Sequence, residues 1–202
     1  MARVVKWVVF VLGLIPLLLL VMGAVTNQLG PDPADVLAAE TGEWTFRFLL
    51  LSLAITPLRA VSGWGKVFPY RRTFGLFALF YASLHFLVYL LFLLQLRWSE
   101  ISEDILQRPY ITVGFTALLI LIVLGATSTK AMMRRLGKRW KSLHKLVYTV
   151  NLLALVHLVW ILRTDLTEAV FYASILLPLL AYRVYKFYVS KASKHINLST
   201  SN

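Results

Sequence analysis

The sequence predicts an all-α integral membrane protein, a bundle of six transmembrane helices with both termini in the cytoplasm. Of its 202 residues, 59% are hydrophobic, whereas soluble domains contain about 45–50% apolar residues. The mean hydropathy is +0.73. Six apolar segments each approach the roughly 20 residues that a helix needs to cross a bilayer. Basic and acidic residues lie on opposite sides of these segments, which sets the predicted orientation.

The six segments are predicted to form one domain over residues 1–202, at about residues 7–26, 44–62, 73–96, 110–129, 141–162 and 168–188. The first begins like a secretory signal, because Arg3 and Lys6 precede its apolar run. That run is too long for a signal peptide and no clear small-residue cleavage site follows it, so we expect it to remain as a helix. Residues 27–43 form the longest predicted loop, and residues 189–202 form a polar, basic tail.

The distribution of charge predicts which side of the membrane each loop faces. Most of the 21 basic residues precede the first segment, surround the second and fourth connections, or follow the last segment. The nine acidic residues lie in the other connections: Asp32, Asp35, Glu40, Glu43, Glu100, Glu103, Asp104, Asp165 and Glu168. The positive-inside rule then places both termini in the cytoplasm. The net charge of +12 therefore indicates this topology and attraction to anionic membrane lipid, not a nucleic-acid partner.

Several kinds of chemistry are excluded by what the sequence lacks. There are no cysteines, which excludes disulfides, iron–sulfur clusters, thiolate ligands and the covalent attachment of c-type haem. No phosphate-binding loop or dinucleotide fingerprint is present. If the protein transfers electrons, we expect its donor to be a separate molecule, because the chain has no nicotinamide domain of its own.

Three of the four histidines lie in apolar segments, His85 in the third and His144 and His157 in the fifth. Imidazole is a common metal ligand, and ionisable groups inside membrane helices usually mark function. The third and fifth segments run in the same direction, so their histidines can be compared by depth. His85 lies about 12 residues into the third segment and His157 about 16 into the fifth, which predicts a common level within about one helical turn. This pairing predicts a b-type haem between two axial imidazoles, although buried histidines also bond between helices. His195 is predicted to belong to the polar tail.

A second site is predicted near the cytoplasmic face, around His144. Thirteen residues separate it from His157, about 20 Å along an ideal helix and about 140° around it, unless a kink or π-bulge realigns the rings. Arg71 and Arg72 are expected at the level of His144 and suit propionate or phosphate groups. Asn151 lies on the same helix face, where it either contacts a cofactor or bonds across helices. The site suits a second haem, a flavin or quinol; alternatively His144 is only an interface residue.

Several motifs resemble a known family. They are P-Y-R-R-T-F-G at 69–75, Y-A-S-L-H at 81–85, R-P-Y-I-T-V-G at 108–114, G-K-R-W-K-S-L-H-K-L-V-Y at 137–148 and H-L-V-W at 157–160. With six predicted helices, they resemble the ferric-reductase-like transmembrane superfamily and, within it, the MsrQ family, formerly called YedZ. The resemblance covers nearly the full length and is most specific around His144.

The resemblance implies a non-catalytic, haem b-bearing subunit of the bacterial inner membrane. Such a subunit passes electrons from the quinone pool to MsrP, a periplasmic molybdopterin methionine sulfoxide reductase with which it forms a heterodimer for repair of oxidised proteins. The resemblance also implies one or two b haems and FMN, with His85, His144 and His157 as the haem-site histidines. The immediate donor is then quinol or a cytoplasmic flavin reductase.

Two other functions fit the same residues. One is the membrane subunit of a ferric or flavin reductase, and the other is a haem-handling protein with no role in electron transfer. A transporter fits less well, because transporters favour broken helices at the membrane midplane. Here the only strong helix breakers at that depth are Pro16 and Pro178, and no acidic residue accompanies them.

Overall fold

The computed structural model describes residues 2–199, with side chains for residues 4–101, 103–104 and 106–190. In this part of the chain every regular element is helical, which confirms the predicted all-α class. The α-helices are α1 Ala2–Val25, α2 Pro33–Ser62, α3 Tyr70–Val88, α4 Trp98–Gln107, α5 Pro109–Ala126, α6 Lys130–Leu136, α7 Lys138–Leu143, α8 Leu146–Leu162 and α9 Thr167–Ser199. A 3-10 turn, Gly65–Val67, precedes α3, and a π-helical turn, Tyr89–Leu93, continues it.

Six stretches among the described residues are long and apolar enough to cross a membrane: Val4–Val25, Pro33–Ser62, Gly65–Leu93, Pro109–Ala126, Lys138–Leu162 and Thr167–Ser190. The predicted six-helix bundle is therefore confirmed, and the chain is a multi-pass membrane protein. Most apolar side chains of α1 are exposed on the surface of the bundle, as expected for a helix that faces lipid.

The second helix begins earlier than the sequence predicts, at Pro33 instead of residue 44. Proline suits the first turn of a helix because its missing N–H has no partner there and its φ is already helical. Asp35 also lies in this turn, where a negative charge interacts favourably with the helix dipole. Part of the predicted loop 27–43 is therefore helical, and the polar residues Glu40 and Glu43 concealed it by interrupting the apolar run.

Other predicted loops also contain helices. The short helix α4 lies in the connection between the third and fourth spans, α6 lies in the next connection, and α7 forms the start of the fifth span. The side-chain oxygen of Thr129 caps α6 by accepting from the backbone N–H of Met132 at 3.2 Å. The last helix continues to Ser199, past the predicted end at residue 188. The side chain of His195 lies outside the described side chains.

The helices pack around α2, which contacts α1, α3, α8 and α9. Leu49 and Leu53 on this helix are each only 1% exposed. Phe48 stacks on Phe77 of α3 with ring centres 5.1 Å apart. We call the end where α2, α5 and α9 begin the acidic end, since it holds the acidic residues, and the opposite end the basic end. Which of these ends faces the cytoplasm stays a prediction.

The first helix is joined to the third through Tyr81. Pro16 lies inside α1, and one turn of that helix is bridged by a side chain. The hydroxyl of Tyr81 donates to the Gly13 carbonyl at 2.9 Å and accepts from the Leu17 N–H at 3.1 Å. An uninterrupted helix would pair these two backbone groups directly. Because backbone groups in lipid need partners, the inserted hydroxyl fixes α1 against α3 at this level.

Candidate cofactor site

A cavity of about 780 Å³ lies between α2, α3, α5, α8 and α9. This volume is within the usual range of sites for small ligands and cofactors. Its walls are mainly apolar and include Phe46, Leu49, Phe86, Phe115, Leu118 and Leu121. Towards the acidic end, polar and charged residues join the lining: Asp35, Glu43, Arg108, Arg163, Glu168 and Tyr172. The cavity therefore combines an apolar body with one charged rim.

His85 from α3 and His157 from α8 both line this cavity. Their ring centres lie 6.1 Å apart, and the ring planes are 89° apart. Two imidazoles bound to opposite sides of one metal ion, with metal–nitrogen distances of about 2.0–2.1 Å, have their ring centres about 6 Å apart. The observed spacing thus fits axial ligation of a single iron. The two rings belong to different helices, α3 and α8, which run in the same direction, and both rings face the cavity.

Backbone carbonyl groups fix the orientation of both rings. Nδ1 of His85 lies 2.9 Å from the carbonyl oxygen of Ala38 on α2. Nδ1 of His157 lies 2.6 Å from the carbonyl oxygen of Tyr110 on α5. A carbonyl oxygen can only accept, so each Nδ1 carries the proton and each neutral ring keeps its lone pair on Nε2. Histidines that bind metals usually donate their second nitrogen in this way.

Glycines provide the space that each imidazole occupies. A Cβ atom at Gly42 on α2 would lie 3.2 Å from Cε1 and from Nδ1 of His85. A Cβ atom at Gly114 on α5 would lie 2.7 Å from Cε1 and 2.8 Å from Nδ1 of His157. Both positions therefore permit a ring to lie against a helix backbone. Sequence reasoning missed both glycines, although Gly114 ends one of the motifs on which the resemblance rests.

The ligand set also agrees with a haem rather than a bare metal ion. Among the described residues, no group of three or more histidine or acidic side chains could hold a metal ion. Two imidazoles alone leave a metal ion with few protein ligands, but a haem iron needs only axial ligands from the protein. The residues at the cavity therefore fit a haem by two criteria, the imidazole nitrogens that they offer as ligands and the 6.1 Å distance between the ring centres.

His144 lies apart from this cavity, at the junction between α7 and α8. Its ring stacks on Trp140 with ring centres 4.0 Å apart. Its Nε2 lies 3.1 Å from the Thr127 hydroxyl, which itself donates to the Val123 carbonyl at 2.7 Å. The hydroxyl proton is thus already used, so the hydroxyl accepts from Nε2–H and Nδ1 is the free nitrogen. His144 lies in the break between α7, which ends at Leu143, and α8, which begins at Leu146, so it does not share a continuous helix with His157.

The remaining predicted site residues lie towards the basic end. Arg71 is half-buried and Arg72 is exposed. Arg71 lies within electrostatic range of His144, and a shared cofactor site of the two residues stays a prediction. Asn151 is fully buried, and its Nδ2 donates to the Val147 carbonyl within the same helix at 2.7 Å. This bond is not the predicted bond across helices, and Asn151 does not line the cavity. A cofactor role for Asn151 stays a prediction.

Comparison with known proteins decides the family. The family model described as ferric reductase like transmembrane component matches residues 41–155, more than half of the chain. A relative from Xanthomonas euvesicatoria, named protein-methionine-sulfoxide reductase heme-binding subunit MsrQ, is 48% identical over 161 residues, covering 80% of this chain and 74% of the relative. A protein of the same name from Herminiimonas arsenicoxydans is 39% identical over 201 residues, covering 98% and 92%. The chain belongs to the MsrQ family of ferric-reductase-like proteins.

Most of the residues that position the two cavity histidines lie within the region that the superfamily model matches. The region matched by the superfamily model, residues 41–155, contains Gly42, His85, Gly114 and His144 but ends before His157. The matches to individual MsrQ relatives extend further, over 161 to 201 residues. The two glycines that support the histidines therefore lie within the part that ferric-reductase-like proteins share.

Proposed function

We propose that this chain is a haem b-binding electron-transfer subunit of the bacterial inner membrane. It receives electrons from quinol or from a cytoplasmic flavin reductase. It delivers them to MsrP, a periplasmic molybdopterin methionine sulfoxide reductase that repairs oxidised periplasmic proteins. The observation that carries the proposal is the His85–His157 pair, with rings 6.1 Å apart in one membrane cavity. The names of the relatives, heme-binding subunits of a methionine sulfoxide reductase, support both the cofactor and the partner.

In this proposal each residue of the cavity has a defined task. His85 and His157 bind the haem iron through Nε2, while the carbonyls of Ala38 and Tyr110 hold their Nδ1 protons. These carbonyl bonds fix ring orientation and make the imidazoles more basic. The bound haem supplies reversible one-electron chemistry. The apolar walls exclude water, which influences the reduction potential through the low local dielectric.

The distribution of charge supports the proposed direction of electron flow. The positive-inside rule places the basic end and both termini in the cytoplasm, and the acidic end in the periplasm. The cavity extends to the acidic end, where Asp35, Glu43 and Glu168 line it. We propose that electrons leave there and that MsrP docks on this surface. Charges at the rim of an interface mainly steer encounter and set orientation, so this heterodimer should be sensitive to salt.

The entry side lies at the basic end, around His144, Arg71 and Arg72. We propose that the electrons enter at this end, through bound FMN or directly from quinol, and that neither molecule binds in the haem cavity. His144 uses Nε2 in its bond to Thr127, so we propose one haem at the His85–His157 pair, and a second haem at His144 is the alternative. Residues 1–202 form a single domain in this proposal. The basic residues at this end also interact with anionic membrane lipid.

Reconstitution tests the proposed function. The purified protein is placed in vesicles of known orientation, its haem is reduced with quinol or reduced flavin, and MsrP is added on one side only. MsrP on the side of the acidic end is expected to reoxidise the haem and then reduce a methionine sulfoxide substrate. Reoxidation only from the basic side would reverse the proposed direction. Haem that binds normally but is never reoxidised by MsrP would favour a haem-handling protein instead.

A further inference from the structure

Two arginines at the basic end approach the same turn of α2. The Ser52 hydroxyl donates to the backbone carbonyl of Arg71 at 3.1 Å. The Arg183 guanidinium donates through Nη2 to the Leu53 carbonyl at 2.9 Å. Because Ser52 and Leu53 are consecutive, α3 and α9 bring the two arginines to one level of the bundle. Arg71 lies within electrostatic range of both Arg183 and His144.

These positive charges have no acidic partner. The ion pairs among the described side chains all lie towards the acidic end: Arg47 with Glu43, Arg97 with Glu100 and Arg108 with Asp104. The Arg183 guanidinium instead lies over the ring of Tyr148, 5.9 Å from its centre. Like charges at close range in a medium of low dielectric repel strongly. An anion bound between Arg71 and Arg183 would relieve that repulsion.

Unpaired polar atoms occur on the three helices that Arg183 joins, α2, α8 and α9. Among the described side chains, the buried atoms without a hydrogen-bond partner are Thr56 Oγ1, Asn151 Oδ1 and Arg183 Nε. Thr56 lies one helical turn beyond Ser52 on α2. Asn151 follows Tyr148 by less than one turn on α8, and the Tyr148 ring faces Arg183. Buried polar groups usually have partners, so the unpaired Nε of Arg183, with two further unpaired atoms on the helices that Arg183 contacts, indicates that a polar ligand belongs here.

We propose that Arg71, Arg183 and His144 form a binding site for a phosphate monoester at the basic end. Such a group carries about −1.5 to −2 charges at neutral pH, which matches two arginines. Guanidinium groups bind phosphate oxygens in a forked geometry. The phosphate diester of a phospholipid carries one negative charge and matches less well. The inference rests on the proposed function for its ligand, because FMN is a phosphate monoester. Arg183 is the residue that this inference adds.

FMN and riboflavin test the site, since they differ only in the phosphate group. Each is titrated into the purified, haem-loaded protein, and binding is followed by flavin fluorescence. The unmodified protein is expected to bind FMN about 10-fold to 100-fold more tightly than riboflavin, as charge-assisted hydrogen bonds predict. Arg183→Gln should abolish that preference. Arg59→Gln is the control. It removes an exposed arginine at the basic end of α2 and should leave the preference for FMN unchanged.

Further variants separate phosphate binding from folding and from haem binding. Arg183 also joins α9 to α2, so Arg71→Gln provides a second test that leaves this bond intact and should also lose the FMN preference. The haem spectrum is recorded for every sample, so failure of the proposed haem function is seen independently of the flavin result. The proposal is wrong if FMN and riboflavin bind equally to the unmodified protein. It is also wrong if both arginine variants keep the preference.

Lipid as the occupant would give a different result. The unmodified protein and Arg183→Gln are reconstituted with phosphatidylglycerol and then washed with detergent. If the unmodified protein retains phosphatidylglycerol, Arg183→Gln loses it, and neither prefers FMN over riboflavin, the site binds a lipid headgroup and the assignment to a phosphate monoester is overturned. An unchanged lipid content together with an FMN preference that depends on Arg183 supports the assignment.

Discussion

The imidazole rings of His85 and His157 are perpendicular, with ring planes 89° apart at a centre-to-centre distance of 6.1 Å. Each plane is fixed by a separate backbone carbonyl on a separate helix, α2 for His85 and α5 for His157. The relative orientation of the two rings is therefore set by the packing of the bundle. Hydrogen bonds of this kind fix the orientation of a ligating imidazole and raise its basicity, and they are one of the ways in which a protein tunes a haem.

Perpendicular axial rings predict a characteristic electron paramagnetic resonance spectrum. Each ring interacts with a different π-type d orbital of the iron, so those orbitals stay close in energy. The low-spin ferric haem should then show one large g value and strong anisotropy. Parallel rings would separate the two orbitals and give a rhombic spectrum. The measurement is a low-temperature spectrum of the oxidised, purified protein, and a rhombic low-spin signal as the main species would contradict the ring geometry.

Removal of either proposed axial ligand, His85 or His157, should remove most of the haem. His85→Ala and His157→Ala each leave the iron with a single protein ligand in the cavity, and the imidazole that remains cannot hold both sides of the porphyrin. Haem content per protein and the low-spin absorption spectrum of the reduced protein are the measurements. Full retention of low-spin haem in both variants would exclude the pair as the ligands.

His144→Ala is the matched control for these two variants. It removes a histidine from the same predicted segment as His157, but one that bonds to Thr127 and stacks on Trp140 outside the cavity. We expect the haem at His85 and His157 to be retained, and its reduction by the physiological donor to slow. Loss of haem equal to that of His157→Ala would instead support a second haem at His144.

The glycine beside His157 gives a sharper test of the cavity. A Cβ atom at Gly114 would lie 2.7 Å from Cε1 of His157, closer than packed atoms allow, so Gly114→Ala must displace the ring. We expect a weakened iron bond to His157, seen as a larger high-spin fraction and a lower haem content. Gly42→Ala should show a smaller change of the same kind, because the nearest atoms of His85 lie 3.2 Å away.

A glycine of the same bundle with room for a methyl group controls for helix propensity. A Cβ atom at Gly75 on α3 would meet only Ser52 Oγ, at an ordinary contact distance of 3.8 Å. Gly75→Ala should keep the unmodified spectrum and gain slightly in stability, since alanine is favoured over glycine by about 1 kcal/mol in helices. If Gly75→Ala and Gly114→Ala have the same spectrum, the proposed contact with His157 is not important for ligation.

The sequence is sufficient to predict those parts of the fold that depend on local hydrophobicity and on the direction in which each segment crosses the membrane. Apolar runs of spanning length give the six membrane helices, and the common direction of the third and fifth segments places His85 and His157 together. The start of α2 at Pro33 was not predicted because Glu40 and Glu43 follow it. The charges of Glu40 and Glu43 interrupt the apolar run of the sequence. In the structure both residues lie within α2, near the acidic end of the bundle, and the helix continues through them.

The features missed by sequence reasoning are contacts between distant parts of the chain. Gly42 has no local signal for its role, because the ring that it accommodates comes from α3. Arg183 looks like one more basic residue of the orientation pattern, and only the fold brings it to Leu53. The sequence allows a π-bulge in the fifth segment, whereas the π-helical turn among the described residues, Tyr89–Leu93, directly follows α3.

The bridge between α1 and α3 provides a stability test away from the cofactor. Tyr81 is 0% exposed, and its hydroxyl satisfies both the Gly13 carbonyl and the Leu17 N–H. Tyr81→Phe keeps the ring and removes both bonds, leaving two backbone groups of a lipid-facing helix without this partner. Polar contacts between membrane helices contribute about 0.6 kcal/mol on average and up to about 1.7 kcal/mol. Two bonds to backbone groups should place this variant near the upper value.

We therefore expect Tyr81→Phe to lower the free energy of unfolding by about 1–2 kcal/mol, with little change in the haem spectrum because the ring remains in the core. Unfolding in denaturing detergent, followed by helicity and by haem absorbance, measures both quantities in one titration. Tyr185→Phe is the control, because Tyr185 is 67% exposed and loses only a surface hydroxyl. Equal stability of the two variants would show that α1 satisfies Gly13 and Leu17 within its own backbone, and that the Tyr81 hydroxyl does not hold α1 against α3.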